Sequence, residues 1–116
     1  MESSVAEKRE VLTDLTHFEK LELLAEILRK QTKERLEADN MNTNGCNEPF
    51  TRVICGLKYD RIDIGNRAQW SGKYMVDHDG NIFGIKAYGV IHKGHQYGTL
   101  NTLYDWNWSG YTAVKR

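Results

Sequence analysis

The chain has 116 residues, of which 40% are hydrophobic and 28% are charged, and its formal net charge is zero. This length fits one domain with a modest core, and the composition excludes wholesale disorder. No apolar run approaches the roughly 20 residues of a membrane span, and the N-terminus lacks the basic and apolar regions of a signal peptide. We therefore expect a soluble, intracellular protein without a membrane partner.

The neutral total conceals two halves of opposite charge. Residues 1–50 carry 7 basic and 11 acidic side chains, whereas residues 51–116 carry 9 basic and 5 acidic ones. All ten glycines lie at Gly45 or later, and ten of the twelve aromatic residues lie at Tyr59 or later. The composition predicts a single domain, 1–116, made of a helical segment over 1–40, a linker over 41–50 and a β-sheet region over 51–116.

Helical signals dominate the first half. Thr16 and Glu19 form a capping box, in which each side chain satisfies a backbone N–H of the other residue. The apolar residues that follow share one broad helical face. The pattern places the main helix at about 17–38, before an Asn/Gly-rich stretch at 40–45 that favours turns. An earlier capping pair predicts a further short helix ahead of it.

The second half alternates apolar and polar residues between turn-forming ones. Its clearest element is a β-hairpin, with strands at about 73–76 and 82–88 joined by Asp77–Asn81. Further strands are predicted at about 52–57, 59–64, 90–92, 103–108 and 111–114. The connections are too short for helical crossovers. We therefore predict an α+β fold in which the N-terminal helical segment packs with a C-terminal antiparallel β-sheet of about five strands.

Aromatic residues near the C-terminus have two interpretations. Tyr104, Trp106 and Trp108 lie two residues apart, which on a strand places them on one face. Packing in the core of the sheet is one interpretation. The other is a half-exposed recognition surface, because Tyr and Trp combine a large ring with a polar group. We predict that Trp106, Trp108 and Tyr97 stack on a nucleotide or nucleic acid.

Basic residues of the same half would meet the phosphates of that ligand. The candidates are Arg67, Lys86 and Lys93. A glycine-rich stretch that includes Lys93, His95 and Thr99 offers side-chain donors and close backbone amides, so it is a candidate anion cradle. Its spacing differs from that of a P-loop, and a polar loop without a ligand is the alternative interpretation.

One short repeat is present in the β-sheet region. Trp70-Ser71-Gly72-Lys73-Tyr74 is echoed by Trp108-Ser109-Gly110-Tyr111. Two copies are too few for a repeat architecture. We interpret them as recurring strand-entry geometry, with Ser-Gly forming the turn.

Metal binding and catalysis are weaker hypotheses. His92 and His95, together with His78, are candidate metal ligands. Asp60 and Asp63 are the candidate carboxylates of a small metal-dependent nuclease or hydrolase. The sequence shows no nucleophile–base pairing that supports catalysis. We therefore expect a non-catalytic protein with no metal and no cofactor.

The acidic helix has two further interpretations besides packing on the sheet. Its apolar face is a candidate seam for a homodimer or a higher homo-oligomer. That seam would use Phe18, Leu21, Leu24 and Leu28. Its acidic face would contact a basic host protein if the chain is a protein–protein inhibitor or adaptor. The acidic residues concerned are Glu19, Glu22, Glu26 and Glu34.

The runs Ser71–Val76, Gly80–Gly89 and Tyr97–Leu100 resemble small bacteriophage-encoded proteins of unknown function. The resemblance covers about residues 56–110, and no site residue is carried over from it. It implies a context, because small viral proteins often bind a host protein, a nucleic acid or a nucleotide. Some counter bacterial immunity by occluding a nuclease complex or by sequestering a nucleotide signal. The resemblance implies the cytoplasm of an infected bacterial host.

Overall fold

The computed structural model describes residues 12–87, 90–110 and 112–116, with the side chains of Lys86 and Ala87 outside this description. The short helix predicted before residue 12 also lies outside the described residues. The described elements are helix α1 (His17–Ala38), a 3-10 turn η1 (Gly45–Asn47), strands β1 (Phe50–Ile54), β2 (Tyr59–Gly65), β3 (Trp70–Asp77), β4 (Asn81–Ala87) and β5 (Val90–Thr99), a 3-10 segment η2 (Leu100–Asp105), and short strands β6 (Trp106–Asn107) and β7 (Val114–Lys115).

The predicted α+β architecture is confirmed. Strands β1 to β5 form one antiparallel sheet in sequential order, and β6 pairs with β7 in a second, two-stranded ladder. Helix α1 lies across one face of the sheet, over β1 and β2. Within the described ranges, no helix combines the length and the apolar content that crossing a bilayer requires.

Helix α1 begins where the capping box predicts. The Thr16 hydroxyl accepts the N–H of Glu19 at 3.2 Å, and the Glu19 carboxylate accepts the N–H of Thr16 at 3.1 Å. Leu21, Leu24 and Leu28 are buried in the core against Ile62 and the neighbouring strands. These three leucines therefore cover the sheet, and the prediction that they form a homodimer seam is wrong.

The predicted hairpin is also confirmed, as β3 and β4. The Asp77 carboxylate accepts the N–H groups of Asp79 and Asn81 at 3.0 and 2.8 Å. Gly80 has φ 89°, in the left-handed region that residues with a side chain rarely adopt. Aspartate and glycine therefore build this turn through backbone chemistry, as the sequence indicates.

The strand predicted over 103–108 is wrong. Residues up to Asp105 belong to η2, and only Trp106 and Asn107 are extended as β6. Trp108 is fully buried, and its indole N–H donates to the Leu103 carbonyl at 3.0 Å. The predicted stacking role of Trp108 is therefore not available in this fold, because the ring fills the core and its polar group is already satisfied.

A buried glutamine fixes the C-terminal segment to α1. The Gln31 side-chain carbonyl accepts the Trp108 N–H at 2.7 Å, and its amide donates to the Trp106 carbonyl at 3.3 Å. One side chain thus satisfies two backbone groups beside the core.

We predict that Gln31→Met destabilises the protein. Methionine preserves most of the side-chain volume but leaves a buried N–H and a carbonyl unpaired, which costs about 1–3 kcal/mol of unfolding free energy. Urea denaturation followed by tryptophan fluorescence measures the loss. Glu34→Gln, an exposed change on the same helix, is the control and should leave stability nearly unchanged. Equal stability of Gln31→Met and the unmodified protein would contradict the assignment.

Candidate functional site

Strands β3 and β4 are hydrogen-bonded over only part of their length. Their ladder contains Met75 opposite Phe83 and Val76 opposite Ile82, next to the hairpin turn. Farther from the turn, β3 remains paired with β2 and β4 remains paired with β5. Among the described residues, the ladder between β3 and β4 therefore does not extend to the far halves of these strands.

A cleft of about 400 Å³ opens where the two strands diverge. Its polar lining side chains are Ser71, Lys73, His92, His95, Tyr97 and Thr112. Glycines 72 and 84 also line it, one on each diverging strand. A Cβ at Gly72 would lie 2.8 Å from the Ile85 side chain. The volume lies in the range of small-molecule sites. The Ile85 side chain packs over Gly72, and the Tyr97 ring packs over Gly84, 3.3 Å from the position that a Cβ would take.

A wide bulge in β5 forms one wall of the cleft. Gln96 pairs with Phe83, whereas His92 pairs with the next residue, Gly84, so the intervening residues of β5 are extra. The bulge brings the His92 and His95 rings into a stack, with centroids 3.9 Å apart. The His92 Nδ1 atom is buried and has no hydrogen-bond partner among the described residues.

Lys73 places a half-buried positive charge at the cleft. Its ammonium donates to the Gly110 carbonyl at 2.5 Å and lies 5.6 Å from the centre of the Tyr74 ring. In the part of the chain that the structure describes, the ion pairs do not include Lys73. Desolvation, and secondly the nearby Arg35, lower the pKa of Lys73. A half-buried cation in this state favours an anionic ligand.

Tyrosines form the aromatic part of the site. Tyr97 lies edge-on to Tyr74 and to Trp106, with ring centroids 6.0 and 6.1 Å apart. Tyr74 is buried, its hydroxyl donates to the Trp108 carbonyl at 2.6 Å, and burial raises the pKa of this phenol. Tyr74 is therefore structural, whereas the half-buried Tyr97 ring faces the cleft that it lines.

Four of the predicted ligand residues lie at or beside the cleft. His95 and Tyr97 line it, and Trp106 packs behind Tyr97. Lys93 is exposed within the β5 bulge, between the two stacked histidines. The site therefore has the aromatic and basic residues that the sequence predicts.

The other predicted ligand residues do not join this group. Arg67 is exposed in the β2–β3 turn and does not line the cleft, and the side chain of Lys86 lies outside the described residues. Thr99 accepts the Asn101 N–H at 3.3 Å as the cap of η2. Thr99 does not line the cleft, so the structure does not bring it together with His95 there.

Sequence reasoning counted Lys73 among the basic residues that give the β half a positive potential but did not select it as a ligand residue, and it did not consider Arg35. A β-bulge opposite Ile62 and Asp63 leaves Lys73 without a pairing partner on β2. Its ammonium meets Gly110, so the two copies of the Trp-Ser-Gly repeat are in contact. The repeat is therefore the sequence feature that could have indicated the contact between Lys73 and Gly110. The interpretation of the repeat as strand-entry geometry does not predict that contact.

The residues of the metal and nuclease hypotheses are separated. His78 lies beside His17, at 6.2 Å between ring centroids, whereas His92 and His95 stack with each other. Asp60 bonds His17 at 3.0 Å on the helix side of β2. Asp63 bonds Arg52 at 2.9 Å and Arg61 at 2.6 Å on the other side. Among the described residues, no group of three potential ligands is positioned to hold a metal ion.

The acidic face of α1 is partly occupied by local interactions. Glu19 completes the capping box, and Glu26 pairs with Arg29 at 2.6 Å. The pKa of each of these two carboxyl groups is lowered by its hydrogen bonds. Half of the four predicted acidic contacts therefore already have partners on the helix itself.

Comparison of the chain with protein-family models, curated proteins and solved structures gives no match.

We predict that Arg35→Gln raises the pKa of Lys73, because removing a neighbouring like charge favours the protonated amine. An NMR pH titration of the Lys73 side-chain carbon adjacent to nitrogen measures the change. Arg29→Gln, which removes an arginine already paired with Glu26, is the matched control. A Lys73 pKa that does not respond to Arg35→Gln would show that the two charges are not coupled.

Proposed function

We propose that this protein is a non-catalytic binding protein that takes a nucleotide into the cleft between β3 and β4. The observation that carries the proposal is the half-buried ammonium of Lys73, which faces a cleft and has no carboxylate partner in the described structure. A phosphate group supplies the missing negative charge, and hydrogen bonds between charged groups are the strong ones.

The phosphate end of the ligand belongs near Lys73. Thr112 and His95 line the same cleft and add a hydroxyl and a ring nitrogen as donors. Lysine binds phosphate as a compact point charge, and this suits a site that reaches one phosphate group from the side. Lys93 stands exposed on the adjoining bulge, where it raises the local positive potential.

The base end of the ligand belongs beside Tyr97. Stacking of a base on an aromatic side chain contributes about 1–3 kcal/mol. The base would also lie near the facing edges of β3 and β4, where Gly72 and Gly84 line the cleft. In the described part of the chain, the backbone N–H and carbonyl groups of these edges are not joined by the β3–β4 ladder. Such groups can hydrogen-bond the edge of a base.

The same features favour a free nucleotide over a nucleic-acid strand. A strand needs a continuous track of cations along its phosphates. The structure places Arg67 at the β2–β3 turn and Lys73 inside the cleft, and the chain has no net charge. A cleft of about 400 Å³ suits a ligand of one or two nucleotide units.

The resemblance to bacteriophage proteins points to a biological role for this binding. A small protein without catalytic groups that holds a nucleotide lowers the free concentration of that nucleotide. We infer that the ligand is a nucleotide signal of host immunity and that the protein counters the defence by sequestration. The acidic-face inhibitor is a weaker proposal, because Glu19 and Glu26 are engaged within α1.

We predict that Lys73→Met weakens nucleotide binding about tenfold or more, since a hydrogen bond to a charged group contributes roughly 1.5–3 kcal/mol. Isothermal titration calorimetry with AMP, GMP, ADP and GDP measures the change. Affinity should also fall as salt concentration rises, because phosphate contacts are electrostatic. Lys58→Met, which removes an exposed cation between β1 and β2, is the control and should bind like the unmodified protein.

Lys73→Arg keeps the charge and should recover part of the affinity that Lys73→Met loses. Circular dichroism and urea midpoints of all variants establish that they are folded. The proposal fails if no nucleotide of the panel binds saturably, or if Lys73→Met binds as tightly as the unmodified protein.

A further inference from the structure

We propose that the ligand of the cleft carries two adjacent anionic groups, as a nucleoside diphosphate does, with Lys73 holding one group and Arg35 holding the other. This inference rests on the proposed nucleotide binding and narrows the ligand class. It concerns the dipeptide Ser109–Gly110, whose two carbonyl groups accept hydrogen bonds from the two cations.

The convergence is defined by two hydrogen bonds. The Arg35 guanidinium donates to the Ser109 carbonyl at 2.7 Å, and the Lys73 ammonium donates to the Gly110 carbonyl at 2.5 Å. A Cβ at Gly110 would lie 3.9 Å from Arg35 Nη1. A helix and a strand therefore bring two positive charges to neighbouring peptide groups.

The charge balance at this point is unfavourable without an anion. Arg35, like Lys73, is absent from the ion pairs formed by the described residues. The two charges are close enough that Arg35 lowers the pKa of Lys73. Two carbonyl dipoles compensate them only in part. A single phosphate neutralises one cation, whereas a diphosphate neutralises both, so the second phosphate adds attraction.

Space is available on both sides of the dipeptide. The cleft reaches Lys73, and a separate open recess of about 420 Å³ is lined by Arg35, Ser109, Gly110 and Glu34 among others. Each cation keeps N–H donors after its bond to a carbonyl. The planar fork of arginine matches the oxygens of a terminal phosphate. Because residue 110 has no side chain, none stands between the two cations at that position.

The carboxylate of Glu34 provides a second test of where the second phosphate lies. It lines the recess with Arg35, but the two form no ion pair within the described part of the chain. Its carboxylate would repel a second phosphate placed at Arg35. A first phosphate at Lys73 would lie in the cleft, which Glu34 does not line, and would feel that repulsion less.

The test compares AMP, ADP and inorganic diphosphate by calorimetry. The unmodified protein should bind ADP about tenfold more tightly than AMP, as expected for an added charge-assisted hydrogen bond. Arg35→Gln should remove most of that difference. Arg29→Gln, on the same helix, should keep the difference. Glu34→Gln should tighten ADP binding more than AMP binding.

The outcomes separate this inference from the proposed function. Equal affinities for AMP and ADP, unaffected by Arg35→Gln, would overturn the two-anion site while nucleotide binding stands. No binding of any of the three would overturn both. If Arg35→Gln fails to fold, the Glu34→Gln result decides, because an unchanged ratio of ADP to AMP affinity in that variant contradicts the placement of the second phosphate.

Discussion

The burial of Trp108 is the constraint on which the rest of the site depends. Its ring fills the core, and its backbone is held by Gln31 and by the Tyr74 hydroxyl. One turn farther along α1, Arg35 holds the next carbonyl of the same segment. The C-terminal segment is thereby fixed against both the helix and β3. This fixing presents Gly110 to Lys73 and places Thr112 at the cleft.

The ladder between β3 and β4 ends near the place where this segment contacts β3. An uninterrupted ladder between β3 and β4 would satisfy their backbone groups and close the cleft. The observed ladder ends at Met75 and Phe83 instead. Deviations from regular pairing are expected at functional sites, because local rules are broken there and compensated elsewhere. A desolvated lysine, stacked histidines and two glycines all lie along this one gap, which is the pattern of a binding site.

Local patterns predicted the elements well and the site only in part. The capping box at Thr16 and the turn at Asp77 involve residues a few positions apart, so the sequence displays them directly. Trp108 is held by Gln31, which is 77 positions away, and the spacing of the aromatic residues contains no trace of that contact. Likewise, the position of the Lys73 ammonium depends on a β-bulge against β2 and on a hydrogen bond to Gly110. Such long-range contacts override the period-two pattern that indicated a strand.

The most direct test is an NMR titration of the ¹⁵N-labelled protein with ADP, read as chemical-shift changes of assigned backbone amides. A nucleotide between the diverging strands should shift Gly72, Lys73, Gly84 and Gly110 in a saturable way and leave the amides of β1 in place. Shifts confined to β1 and the β2–β3 turn, or no saturable shifts at millimolar ADP, would contradict a binding cleft between β3 and β4.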